Sequence, residues 1–172
     1  MTKFLVLTLF LPVAMANAQT LVWSTVLRDV RHRYPEVDQI TVDSLARWLA
    51  DDTRVQPLLV DVRTRAEYDV SHIAGAVHAD PDAEDADSLL AVAAGRPIVV
   101  YCSVGYRSSA RAEKLRQAGA GQVANLEGSL FMWANNGFPV ERDGRPVEQV
   151  HPYNKLWGTL LNKRLRYDGE VK

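Results

Sequence analysis

The chain has 172 residues, 47% of them hydrophobic and 24% charged, with a formal net charge of −1. That length suits about one domain, the balance excludes a mainly disordered chain, and the near-zero charge excludes a general pull toward nucleic acid or anionic membrane.

Residues 1–18, MTKFLVLTLFLPVAMANA, form a segment of their own. Lys3 precedes an apolar run from Phe4 to Val13, and Ala16-Asn17-Ala18 follows. This is the three-part layout of a secretory signal peptide, with cleavage expected after Ala18 and export to the periplasm or the exterior. The run is shorter than the roughly 20 residues of a membrane span, so no transmembrane segment is expected.

From 19 to 36 the sequence reads as a helical extension outside the main domain. Leu21, Val22, Val26 and Val30 recur at near-helical spacing and Pro35 ends the pattern. ITVDSLARWLADD then reads as a short strand and a helix, with Asp43 or Ser44 as N-cap and Leu45, Trp48 and Leu49 as the apolar stripe. PLLVDVR at 57–63 is an apolar strand, TRAEYDVSH a brief helix and IAGAVHA a turn. DADSLLAVAAG is a helix ending at Gly95, and PIVVYC at 97–102 is an apolar run without polar alternation. Such a run suits a strand buried on both faces of a parallel sheet.

YRSSARAEKLRQAG is the next helix, stopping at Gly119. QVANLEG is a strand and SLFMWANNG a short helix. Strands alternating with helices predict an α/β fold, an open parallel β-sheet with helices on both faces. Asp143-Gly144 sits between two short arms as a hairpin turn. The main domain is expected over 37–147. The remainder, 148–172, is an amphipathic tail with Leu156, Trp157, Leu160 and Leu161 on one helical face, suited to packing back on the domain or to docking elsewhere.

Cys102 is the only cysteine, at the carboxyl end of the strand over 97–102. Exported chains usually carry cysteines in pairs, so an unpaired one is a buried hydrophobe, a reactive thiol or a partner to another molecule. In open parallel sheets functional groups gather at strand carboxyl ends. A loop leading into a helix there offers converging N–H groups and the positive end of the helix dipole, which stabilise a thiolate. Gly105 allows the tight turn and Arg107 adds a fixed positive charge. This context favours the reactive thiol.

VVYCSVGYRSSARAEKLRQAG resembles the active-site segment of single-domain rhodanese-family sulfurtransferases. LLVDVRTRAEYDVSHIAGAVHA resembles that family's earlier segment, and NLEGSLFMWANNGFPV its last, with Ser129 where a second glycine is common. The three occur in the family's order over about 40–141. The resemblance implies that Cys102 takes a sulfane sulfur from thiosulfate or a persulfide, becoming a persulfide itself, and passes it to a thiol or cyanide-like acceptor. A thiol protein is a further candidate partner. It implies a loop of Ser103, Val104, Gly105, Tyr106 and Arg107 around the outer sulfur, with Asp61, Arg63 and Ser108 in support. Asp61 and Arg63 also read as a structural ion pair, and His72 as a structural hydrogen-bonder. A monomer is expected, with no cofactor and no nucleic-acid partner. Val104 and Tyr106 suit a protein or a low-molecular persulfide as well as thiosulfate, so the donor stays open.

Two rival readings share the scaffold. A phosphatase or arsenate reductase relative would use Cys-x5-Arg, whereas this chain has Cys-x4-Arg from Cys102 to Arg107. The second is a binding or redox-sensing module with incidental transfer; the presence of Cys102 argues against an inactive relative, since loss of the cysteine is the simplest inactivation. His32, His72, His78 and His151 show no metal-ligand spacing, and no phosphate-binding Gly-rich motif is present.

Overall fold

The computed structural model describes residues 11–83 and 86–169, with side chains from residue 19 onward. In chain order, helix α1 (Leu11–Arg33), strand β1 (Asp38–Ile40), α2 (Val42–Leu49), β2 (Leu58–Asp61), α3 (Arg65–Val70) and β3 (Val77–His78) come first. Helix α4 (Ala86–Ala93), β4 (Ile98–Tyr101), α5 (Tyr106–Gln117), β5 (Val123–Leu126) and α6 (Ser129–Asn135) follow. A hairpin, β6 (Val140–Arg142) and β7 (Arg145–Val147), precedes the tail.

Strands β1 to β5 form one sheet in the order β1-β5-β4-β2-β3, with every pairing parallel. The two apolar runs read from the sequence, β2 and β4, lie beside each other and are buried at every position. Side chains alternate across a strand, so each run feeds two cores. Leu59, Val99 and Tyr101 join Leu45 of α2, Leu130 and Phe131 of α6, and Trp23, Val26 and Val30 of α1. Leu58, Val60, Ile98 and Val100 join Leu89 and Ala93 of α4 and Ala112 and Leu115 of α5 on the opposite face. Cys102 continues this second row.

Three expectations change. Helix α2 is capped by Thr41, whose Oγ1 accepts from the Ser44 N–H at 3.2 Å, rather than by Asp43 or Ser44. Helix α1 packs into the first core instead of standing outside it. Its buried face is Trp23, Val26 and Val30, while Leu21 and Val22 are exposed. The spacing 23-26-30 tracks one side of a helix better than 21-22-26-30 does.

The tail, thirdly, is not an amphipathic helix. It forms two 3₁₀ turns, Trp157–Leu160 and Lys163–Leu165. A Cβ at Gly158 would meet the Pro152 Cβ at 2.9 Å, so the chain here needs a glycine, a poor helix former. Leu161 is extended, which breaks the helical stripe. Leu160, Leu161 and Leu165 are buried nonetheless, Trp157 is half-buried and Leu156 is exposed. The tail therefore packs back on the domain, held by the Asn135 side-chain amide donating to the Leu160 carbonyl at 2.7 Å and the Asn162 N–H donating to Asn135 Oδ1 at 2.8 Å.

The hairpin turn is as read, with Asp143 and Gly144 at φ 52° and 71°, the pair of positive angles a two-residue turn needs. Of the signal reading, Lys3 and most of the Phe4–Val13 run lie outside the described residues, as does Asp85 at the expected start of α4. No helix among the described residues is long and apolar enough to cross a membrane.

Candidate active site

The site grows from the end of β4. After Tyr101 the chain leaves the sheet at Cys102, turns through Ser103 and Val104, and enters α5 at Tyr106. Gly105, the N-cap of α5, has φ 123°, a backbone angle that L side chains rarely adopt. The turn points the Gly105 N–H at the Cys102 sulfur, 3.2 Å away. The Ser108 hydroxyl, one turn into α5, stands 3.4 Å from the same sulfur and the Ser129 hydroxyl 4.0 Å.

The carbonyls of Cys102 and Ser103 accept from the Leu130 and Phe131 N–H groups, both at 3.1 Å. The first turn of α6 thus uses donors that a helix start leaves unpaired to fix the loop from behind. Gly128, just before α6, has φ 70°, and a Cβ there would collide with Met132 at 2.6 Å. Ser129 follows at φ 50°. That left-handed angle accounts for the resemblance to a glycine-glycine pair, and the serine adds something a glycine cannot. Its Oγ accepts the Cys102 N–H at 3.1 Å.

Ser108 Oγ lies 2.6 Å from Asn125 Oδ1, and the Asn125 amide donates to Gln39 Oε1 at 2.7 Å. The hydroxyl has one proton, which serves either Asn125 or the sulfur. Asn125 and Ser129 both belong to the floor of the site.

Arg107 is anchored by Glu67, a residue the sequence reading left out of the site. Arg107 Nη1 donates to Glu67 Oε2 at 2.9 Å and Nη2 to Oε1 at 2.8 Å, a two-pronged pair. Nη2 also reaches Ser103 Oγ at 3.0 Å, and Ser103 Oγ donates to Glu67 Oε1 at 2.9 Å. Glu67 meanwhile closes the capping box of α3 by accepting the Thr64 N–H at 3.0 Å. Because β2 pairs with β4, the start of α3 lies next to the start of α5. One buried carboxylate therefore joins the Cys102 loop to its neighbour. Burial pushes the Glu67 carboxyl up, but hydrogen bonds and charge from Arg107 outweigh it and bring it down to about 2.

Cys102 is 1% exposed. Burial pushes its thiol up. The Arg107 charge, the Ser108 hydroxyl and the N–H groups of Ser108 and Gly105 more than reverse this, so it stands below its ordinary value. The thiolate is the nucleophilic form of cysteine.

Asp61 and Arg63 lie one strand away. Both are fully buried and bond to each other, Arg63 Nε to Asp61 Oδ1 at 2.9 Å and Nη2 to Oδ2 at 2.6 Å. Arg63 Nη2 also donates to the Ser71 carbonyl at 2.6 Å. Their bonds fix the end of β2 and the turn after α3, and they reach the sulfur only at one remove. His72 pairs with Glu141 across an isolated bridge, with ring Nδ1 3.1 Å from the Tyr68 carbonyl oxygen, in keeping with a structural role.

The mouth of the site is aromatic. Cys102, Val104, Tyr106, Arg107, Tyr153 and Trp157 line most of a pocket of about 210 Å³. Tyr106 and Trp157 meet edge to face at 5.8 Å, and the Arg107 guanidinium lies 4.8 Å over the Tyr153 ring. The Tyr106 hydroxyl donates to Asp29 Oδ2 of α1 at 2.7 Å. Burial and this bond raise the phenol to about 12. Thus the tail supplies part of the pocket wall and α1 holds Tyr106 in place, both from outside the resemblance. In the sequence Trp157 stood out only as part of the tail's apolar face, and nothing singled out Tyr153.

A buried cysteine sulfur faced by converging donors at the carboxyl end of a central parallel strand puts a candidate nucleophile in an α/β domain. The model of the Rhodanese-like domain family matches residues 41–136, and the chain belongs to that family. It is 36% identical over 108 residues to a sulfurtransferase of Allochromatium vinosum, covering 60% of this chain and 94% of that one. It is 31% identical over 101 residues to a probable adenylyltransferase/sulfurtransferase of Mycobacterium tuberculosis, spanning 58% of this chain but only a quarter of that longer protein. A crystal structure of a rhodanese-like domain protein from Staphylococcus aureus superposes with a TM-score of 0.53 at 27% identity, covering 63% of this chain and all of that one.

Proposed function

We propose that this protein is a rhodanese-type sulfurtransferase working through a persulfide on Cys102. The observation that carries the reading is the Cys102 sulfur itself, set at the base of an open pocket. The Gly105 N–H and the Ser108 hydroxyl are directed at it, and Arg107 supplies the charge that lowers its thiol.

In the first step the Cys102 thiolate attacks the sulfane sulfur of a donor. The donor's sulfur–sulfur or sulfur–sulfonyl bond breaks, its electron pair leaves with the donor remnant, and Cys102 carries one extra sulfur with the negative charge on it. The loop N–H groups and Arg107 stabilise that charge. In the second step a thiolate or cyanide attacks the outer sulfur, and the Cys102 thiolate leaves. Starting from the thiolate, neither step takes a proton from Cys102, and the Gly105 N–H remains a donor to its sulfur. The export reading of residues 1–18 belongs to the same proposal, with donor and acceptor then met outside the cytoplasm.

Incubation with a sulfane donor is expected to add one sulfur atom to the intact mass, removable by cyanide, and Cys102→Ser is expected to abolish both the adduct and turnover. A Cys102→Ser protein that still transfers sulfur would place the nucleophile elsewhere.

A further inference from the structure

The charges around Cys102 bear on what can deliver the sulfur. Arg107 is the cation of the pocket lining, and its charge is matched by Glu67 at 2.8 and 2.9 Å. With the attacking thiolate present, one positive charge faces two negative ones. Behind Tyr106, Asp29 is paired with Arg33 at 2.8 Å. Burial holds the His151 imidazole below its ordinary value. A doubly charged inorganic donor would enter a region already negative and would need partners for three sulfonate oxygens. The pocket wall offers instead the faces and edges of Val104, Tyr106, Tyr153 and Trp157. Its volume of about 210 Å³ exceeds the roughly 150 Å³ of an apolar cavity that holds benzene.

Resting on the persulfide reading above, we infer that the sulfur reaches Cys102 on a small organic carrier, a singly charged persulfide or thiosulfonate whose carbon body lies against Tyr153 and Trp157, in preference to the thiosulfate dianion. Tyr153 and Trp157 are then specificity-determining residues, supplied by the tail beyond the matched family segment of 41–136. For a thiosulfonate, the Cys102 thiolate bonds to the terminal sulfur. The bond from that sulfur to the sulfonyl sulfur breaks, and a sulfinate leaves with the electron pair. For a persulfide the leaving group is the carrier thiolate. Charge is conserved in both.

Three donors separate the contributions: benzenethiosulfonate with a ring and one charge, methanethiosulfonate with one charge and no ring, and thiosulfate with two charges. For each, kcat/KM is divided by the donor's rate with a free small thiol, which removes intrinsic reactivity. The expected order is benzenethiosulfonate, methanethiosulfonate, thiosulfate, with about five- to tenfold between the first two from aromatic contact. Tyr153 has φ 62°, an angle that favours glycine, so Tyr153→Gly removes the ring without straining the backbone. It is expected to cut the preference for the ring donor several-fold, and Trp157→Leu to do the same. Equal or better normalised rates with thiosulfate, or a ring preference unmoved in Tyr153→Gly, would overturn the inference while leaving the persulfide intact. Failure of all three donors to add sulfur to Cys102 would overturn the persulfide reading and this inference together.

Discussion

Replacing Glu67 with glutamine keeps the shape of the side chain and removes its charge, which isolates the electrostatic part of the link between α3 and the Cys102 loop. In the folded protein the carboxyl is held at about 2, against an ordinary value of 4.5. At about 1.4 kcal/mol per pH unit this corresponds to roughly 3 kcal/mol of stability. The side chain is only 3% exposed, so solvent screens little of it. Because the folded value is depressed, the contribution is fully present above about pH 4.5 and is lost as the pH falls toward 2. Glu67→Gln is therefore expected to be less stable than wild type at pH 7, by about 6–12 °C in Tm for a chain of this size. The gap should narrow steadily between pH 4.5 and 2, as wild-type Glu67 takes up its proton. Thermal unfolding of both proteins across this range measures it directly. A gap at pH 7 that persists unchanged near pH 2 would show that the loss comes from packing or from misplaced hydrogen bonds, and the electrostatic reasoning would fail.

Three further outcomes are expected. In Arg107→Gln the inflection for alkylation of Cys102 should move to higher pH, since the largest influence lowering the thiol is gone; an unmoved inflection would assign the lowering to the Gly105 and Ser108 donors alone. Truncation after Val150 should lower Tm markedly, because it exposes the surfaces covered by Leu160, Leu161 and Leu165, each worth about 1.5–3 kcal/mol before ordering costs, and it should also weaken donor binding by removing Tyr153 and Trp157. Retained Tm and retained KM would refute both parts. Exported protein should begin at Gln19 on N-terminal analysis, and an unprocessed chain confined to the cytoplasm would remove the export reading.

What could be read in advance was what neighbouring residues determine together. The apolar runs at 57–63 and 97–102 announced two central strands, and Cys102, Gly105 and Arg107 announced the strand–loop–helix turn that carries the candidate nucleophile. The missing parts of the site come from far along the chain. Glu67 meets Arg107 across 40 positions only because β2 and β4 are neighbours, and its visible local signal, Thr64 three residues before it, marks a helix cap and nothing more. Ser129 was seen as a departure from a glycine pair. Its value depends on a positive φ that places its hydroxyl beneath the Cys102 N–H. The tail misled because helical spacing of leucines was taken for a helix, while burial is achieved by turns. Helix α1 misled by which of its faces is apolar, since Trp23 rather than Leu21 or Val22 turns inward.

The two flanks also touch each other. The Gln19 side-chain amide donates to the Leu160 carbonyl at 3.0 Å, joining residues 141 positions apart, while Asp29 holds Tyr106 and Trp157 packs on its ring. The stretch that could be cut out and fused to another protein by following the family boundaries would carry the nucleophile and its donors. It would leave behind the bracket on Tyr106 and the wall facing the sulfur. Under the function proposed above, a graft of that kind would transplant the reaction without its choice of reactants.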